Sequence, residues 1–259
     1  MIDIHSHLLP GLDDGSRSPG QSVAVLRQMA ADGVTDMIMT PHLNASEINA
    51  DPEPAIARRD AALERLKPMA PPAIALHPGF EILLDQPLTP LALGDRRLSL
   101  AGSRYYLVEF PAMMVGELMT GALREISRAD LVPVLAHPER YQACSPGAVR
   151  VWREVGARMQ VDAQTLSRPT SRGYQARQLV AAGLADVIAA DNHGDGRSLR
   201  SAVEFLRGRA GGQGVVEQAL QLLTRINPLA ITEDWDLAPV PEMVVPERWV
   251  ERVRRFLDG

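Results

Sequence analysis

Short apolar runs alternate along this chain with longer amphipathic runs, and the alternation recurs seven times before Asn227-Pro228. A strand that must reach a parallel neighbour needs a crossover, usually a helix, so this pattern restricts the fold to a parallel sheet or barrel. The strand-like runs are Ile2–His5, Asp36–Thr40, Ala73–Leu76, Tyr105–Phe110, Val132–Ala136, Met159–Asp162 and Asp186–Ala190. The first helix is capped by Ser18, carries Pro19 at its first position and ends at Gly33. Its apolar stripe is Val23, Leu26, Met29 and Ala30. Further helices are expected at about 51–67, 115–129, 146–156, 170–182, 198–209 and 213–225. Seven units of roughly 25 to 40 residues fit one closed or nearly closed barrel better than two domains, and single α/β barrels commonly run near 250 residues. This chain has 259. Aromatic residues are only 4%, so the core must be aliphatic.

After Asn227-Pro228 the pattern changes. The expected division is a barrel over residues 1–232 and an appended proline-rich segment with a last helix over 233–259. That helix, about 247–257, places Trp249, Val250, Val253, Phe256 and Leu257 on one face with arginines around it. It reads as docking on the barrel or on a neighbouring subunit in a homo-oligomer. The alternative is a basic amphipathic helix meeting a membrane surface.

A net charge of −5 gives no basic field for a nucleic-acid backbone. One cysteine excludes an internal disulfide and a cysteine zinc site, and fits a reducing, cytoplasmic setting. No apolar run approaches the length needed to span a bilayer. The opening Met1-Ile2-Asp3-Ile4-His5 does not read as a signal peptide, since it lacks a basic start and an apolar stretch.

The strand ends carry the chemistry. His5 and His7 end the first strand, His42 follows the second, Glu81 follows the third, and Glu109 ends the fourth. His137 ends the fifth, and Asp191 and His193 end the seventh. In a βα barrel these ends converge on one rim. Residues two apart in an extended chain face the same side, so His5 and His7 can clasp one ion, as can Asp191 and His193. Asp13 and Asp14 lie in a glycine-rich turn that can bring a carboxylate back over the site. Counting Asp14, nine nitrogen and oxygen ligands are too many for one ion and suit two or three. Imidazole and carboxylate without thiolate suit manganese, iron or zinc better than calcium. Clustered metals imply hydrolysis, with one activating water and the others binding substrate oxygens.

The ordered set His5-x-His7, the Asp14 turn, Thr40-Pro41-His42, Phe80-Glu81, Val108-Glu109-Phe110, Ala136-His137-Pro138-Glu139-Arg140-Tyr141 and Ala190-Asp191-Asn192-His193 resembles the PHP (polymerase and histidinol phosphatase) superfamily. The opening His5-Ser6-His7 with Asp13-Asp14-Gly15, and the later His137-x-Glu139-Arg140-Tyr141, are similar to its bacterial tyrosine-protein phosphatase branch, associated with capsular and extracellular polysaccharide synthesis. The resemblance implies an α/β fold, a distorted TIM-like (β/α)7 barrel of the PHP type. It also implies two or three divalent ions, manganese first and iron or zinc as alternatives. His5, His7, Glu81 and Asp191 would bind the first, with Glu81 bridging to a second held by Glu109 and His137. Asp14, His42 and His193 would hold the third. A metal-bound hydroxide would attack phosphorus in line with the departing phenolate, without a phosphoenzyme. The implied partner is a phosphotyrosine protein, such as a tyrosine kinase of polysaccharide synthesis.

Phosphate also calls for arginine, whose planar fork matches its oxygens. Arg140, Arg197 and Arg17 are the candidates, in that order. Asp162 stands where the family commonly has Asn, and His77 matches no ligand position and reads as structural. Two other functions remain open: a PHP phosphoesterase for a small-molecule phosphate, and a non-catalytic metal-binding scaffold. A competing motif, Cys144-x5-Arg150, fits the phosphate loop of cysteine-dependent phosphatases. Pro146 argues against it, because it lacks the backbone N–H such a loop needs; Ser145-Pro146 reads as a helix cap and first turn.

Overall fold

A computed structural model describes residues 1–247. The expected helix at 247–257 therefore falls outside the described residues, apart from Glu247. Among the described residues, nine short parallel strands form two sheets: β1 Ile2–Asp3, β2 Asp36–Met39, β3 His42–Asn44, β4 Ala75–Pro78, β5 Glu81–Leu83, β6 Tyr105–Glu109, β7 Val132–Ala136, β8 Arg158–Asp162 and β9 Val187–Ala189. One sheet runs β1-β2-β4, the other β3-β5-β6-β7-β8-β9.

The nine strands build seven staves. Pro41 has no N–H for a ladder, so the second stave breaks into β2 and β3. Gly79-Phe80 likewise separates β4 from β5. The wall is continuous across these breaks: Thr40 N–H donates to the Ser6 carbonyl at 2.8 Å, and Glu81 N–H to the Pro41 carbonyl at 3.2 Å. The ring closes where the first and last staves meet. Asp191 N–H donates to the His5 carbonyl at 3.1 Å, and His7 N–H to the Asn192 carbonyl at 2.8 Å. The result is a distorted seven-stave α/β barrel.

Alternation along the staves separates two cores. Ile2, Ile4, Ile38, Leu107, Val134, Ala136, Val187 and Ala189 fill the barrel, with Tyr105, Leu100 and Ile231 packed among them. Tyr106, Val108, Leu135, Met159, Val161 and Ile188 face outward onto the helices. Those helices include Pro19–Ala31, Glu53–Leu66, Gly116–Arg128, Pro146–Glu154, Ser171–Ala181 and Leu199–Arg209. Each buried Leu or Ile contributes about 1.5–3 kcal/mol, so this aliphatic double core can hold the barrel with few aromatics.

Other features also depart from the sequence reading. A short helix, Ala45–Ala50, follows β3, with Asn44 and Glu47 forming a capping box. Another, Ala163–Ser167, is capped by Asp162. The helical run from Gln213 does not stop near 225. It passes through a π segment at Leu222–Ile226 into Asn227–Thr232, with Pro228 at the junction in the first turn of the last segment. Residues 233–247 lie against the barrel: Tyr105 Oη donates to the Trp235 carbonyl at 2.6 Å, and Val240 and Met243 are buried. No helix among the described residues is long and apolar enough to cross a membrane.

Candidate metal centre

Barrel closure and strand register assemble the centre. In the β3–β5 pairing His42 stands opposite Glu81. The closure between the first and last staves brings Asp191 beside His5. All nine residues read as ligands gather at this one rim. His5 Nε2 lies 3.1 Å from His7 Nε2 and from Glu81 Oε2, and 3.4 Å from Asp191 Oδ1. His7 Nε2 lies 3.3 Å from the same Glu81 oxygen and 3.4 Å from Asp191 Oδ1. His42 Nδ1 is 3.1 Å from Glu81 Oε2 and 3.3 Å from Glu109 Oε1. His137 Nε2 is 2.9 Å from the other Glu81 oxygen and 3.9 Å from Glu109 Oε2. Asp14 Oδ1 sits 3.5 Å from His42 Nε2 and 3.4 Å from His193 Nε2.

These separations have a chemical meaning. Two donors at about 2.1 Å from one ion, subtending about 90–109°, lie about 3.0–3.4 Å apart. Buried Glu81 Oε2 is within 3.3 Å of three imidazole nitrogens yet has no hydrogen-bond partner among the described residues. Buried polar atoms are normally paired, so a carboxylate oxygen surrounded by donors but bonded to none fits a cation position. Three groups of donor atoms are close enough to share an ion: His7, Asp14, His42 and His193; His5, His7 and Glu81; and His42, Glu81 and Glu109.

The electrostatics show how strongly negative this cluster is. Burial would lower the His5 pKa, but the Glu81 and Asp191 charges outweigh it and raise it. His42 feels burial too, and Glu109 and Glu81 push it up to about 10. Burial would raise the Glu81 carboxyl, but His5, His137 and His42 hold it well below its ordinary range. Glu81 therefore stays ionised, which is the state that binds cations. His137 and Asp191 both adopt positive φ, at 34° and 48°. For residues other than glycine such strain persists only where surrounding structure enforces it, and it concentrates at functional sites.

Two supporting residues escape a reading of ligand positions alone. His7 Nδ1 is 2.7 Å from Asp13 Oδ2, so Asp13 orients the ring while its neighbour Asp14 faces the cluster. The signal available was the paired acids in one turn. Gln160 Oε1 lies 3.0 Å from His5 Nδ1 and accepts from His137 N–H at 3.3 Å. A lone Gln inside a strand carries no recognisable signal. Gly15 is required by close approach: a Cβ there would stand 2.0 Å from the His7 carbonyl oxygen.

The arginines divide. Arg140 bonds both Asp162, at 2.9 Å, and Asp191. Arg197 donates to the Asp191 carbonyl at 2.5 Å and lies 3.6 Å from its carboxylate. Both line an approximately 620 Å³ cleft shared with Asp14, Asp191 and His193. Arg17 does not join them. After Gly15 the chain turns so that Arg17 N–H bonds Gln21 at the first helix, and the exposed Arg17 lines a separate groove with Pro10, Pro19, Arg65 and Met69. His77 pairs across β2–β4 with Asp36 at 3.1 Å, away from the ligand set.

A family model described as capsular polysaccharide synthesis, CpsB/CapC, matches residues 1–229. The chain belongs to the CpsB/CapC family. Among its relatives, the tyrosine-protein phosphatase YwqE of Bacillus subtilis is 31% identical over 199 residues, covering 74% of this chain and 77% of YwqE. The tyrosine-protein phosphatase CpsB of Streptococcus pneumoniae is 28% identical, covering 74% of this chain and 83% of that protein. Crystal structures of YwqE and CpsB, described as unique metal-dependent tyrosine phosphatases, provide a match with TM-score 0.77 and 26% identity, over 95% of this chain and all of the other.

The competing cysteine motif has no place in this CpsB/CapC barrel. Cys144 is buried, and burial with the nearby Glu139 charge pushes its thiol up to about 12. A nucleophilic cysteine needs the opposite shift. Ser145 caps the helix Pro146–Glu154 by accepting from Ala148 N–H, so this stretch is a helix start rather than a phosphate cradle.

Proposed function

We propose that this chain is a metal-dependent protein-tyrosine phosphatase serving capsule or exopolysaccharide synthesis. The carrying observation is the convergence of three imidazole nitrogens within 3.3 Å of one unbonded, buried Glu81 oxygen. In this reading His5, His7, Glu81 and Asp191 hold one divalent cation, and Glu81, Glu109 and His137 a second. Asp14, His42 and His193 hold a third. Manganese is the first choice, with iron or zinc as alternatives, because the donors are imidazole and carboxylate without thiolate. When bound, such cations supply Lewis acidity toward phosphate oxygens and an activated water.

The protein's own residues do the rest. Gln160 and Asp13 fix ring orientations through the far nitrogens of His5 and His7. Arg140 and Arg197 present guanidinium groups to the cleft, where they engage the phosphate while Asp191 holds them in place. The phosphoryl donor in this chemistry is a phosphotyrosine side chain on a protein, a polysaccharide-synthesis tyrosine kinase being the leading choice, with water as the acceptor, and the setting is cytoplasmic.

Metal analysis of the purified protein, combined with turnover of a phosphotyrosine peptide with and without chelator, tests the reading. Bound divalent metal and chelator-sensitive hydrolysis are expected. Chelator-resistant activity overturns the metal mechanism. A kcat/KM favouring small phosphate esters by orders of magnitude replaces the protein substrate with a small molecule. Metal occupancy without turnover supports a scaffold instead.

A further inference from the structure

The cleft beside the metal centre is lined by four arginines, Arg140, Arg168, Arg172 and Arg197. Arg140 and Arg197 are committed to Asp162, Asp191 and Asp195. The other two have no carboxylate partner among the described residues. Arg168 donates only to the neutral Gln164 amide, at 2.7 Å, and both side chains belong to exposed residues. Exposed arginines usually sample many rotamers, but the backbone that carries these two is built to stay put. Arg177, only 2% exposed, reaches back to donate to the carbonyls of Leu166 at 3.1 Å and Arg168 at 2.8 Å. Gly173 packs so closely that a Cβ would meet the Arg168 carbonyl oxygen at 2.0 Å. Thr170 caps the following helix, accepting from Gly173 N–H at 3.1 Å. A buried guanidinium spent on holding a surface loop is a costly device unless the loop's position matters.

Resting on the phosphotyrosine-phosphatase reading above, we infer that Arg168 and Arg172 form a second anion subsite. It engages a negatively charged group flanking the scissile phosphotyrosine, either a carboxylate side chain or a second phosphoryl group. Cations in a cleft raise the local concentration of anionic substrate and select against neutral sequences.

The test compares kcat/KM on three phosphotyrosine peptides, with flanking alanines, flanking glutamates or a neighbouring phosphotyrosine, for the metal-loaded wild type and R168A/R172A. Wild type should prefer an anionic peptide by about tenfold, mostly through KM, and the variant's preference should fall toward one. Glutamate and phosphotyrosine arms separate the two sources of the anion. An undiminished preference in the variant, or none in the wild type, overturns the subsite. Hydrolysis of a simple aryl phosphate by the wild type tests the phosphatase reading independently. Should that hydrolysis be absent, equilibrium binding of the same peptides to both proteins still decides the subsite.

Discussion

Gln160 Oε1 lies 3.0 Å from His5 Nδ1 and 3.3 Å from the His137 backbone N–H. Because a backbone N–H can only donate, the amide oxygen must face both groups. His5 Nδ1 then donates to the amide, and Nε2 is the nitrogen that faces the cluster. One buried amide thus orients a cluster imidazole from the first stave and braces the strained backbone of another from the fifth.

Gln160→Leu keeps the volume and removes the acceptor. Divalent-metal affinity should drop by about 10–100-fold, the usual cost of losing such outer support. Activity should recover at high metal concentration. Metal titration followed by turnover checks this, and unaltered affinity removes Gln160 from the centre.

Glu81 touches His5, His7, His42 and His137, so it holds more of the centre than any other carboxylate. Glu81→Gln or His137→Ala should lower phosphotyrosine turnover by at least about a hundredfold, beyond the loss from an outer-sphere residue. Circular dichroism should remain native, because the aliphatic core lies elsewhere. Retained activity in a metal-analysed variant would contradict the site.

Cys144 gives a pH prediction. Its thiol is raised from an ordinary 9.0 to about 12, so the thiolate should be scarce throughout pH 6–10. Near pH 8 it carries roughly a thousandfold less thiolate than an unshifted thiol. Alkylation by iodoacetamide should be slow in the native state and rapid on denaturation, and Cys144→Ala should retain phosphatase activity. Fast native alkylation coupled to inactivation would revive the cysteine mechanism.

The seven staves and the clustering of nine rim residues were legible because each reading used a strong local signal. Val132–Ala136, for example, is apolar, short and followed at once by His137. What escaped depended on neighbours remote in sequence. Whether Pro41 breaks a stave is settled by hydrogen bonds to Ser6 and Glu81, and whether Pro228 stops a helix is settled by a π segment upstream. Arg17 and Arg140 look alike as loop arginines following ligands. Only the turn held at Gly15 and the position of Asp162 send one away and the other inward.

Asp162 supplies the last prediction because it does two jobs with two oxygens. Oδ1 accepts from Thr165 N–H at 2.7 Å, capping the helix Ala163–Ser167, while Oδ2 holds Arg140 at 2.9 Å. Asn caps as well as Asp, so Asp162→Asn should keep stability within about 1 kcal/mol while loosening the guanidinium. Arg140→Ala removes charge-assisted hydrogen bonds worth about 1.5–3 kcal/mol each, which corresponds to a loss of roughly 10–100-fold in kcat/KM on a phosphotyrosine peptide. Asp162→Asn should shift the same parameter in the same direction by less. Asp162→Ala should add a thermal destabilisation of about 1 kcal/mol from the lost cap. Steady-state kinetics and thermal unfolding of the three variants separate the roles. If Arg140→Ala and Asp162→Asn both leave kinetics unchanged, Arg140 is a structural ion pair and phosphate recognition falls to Arg197.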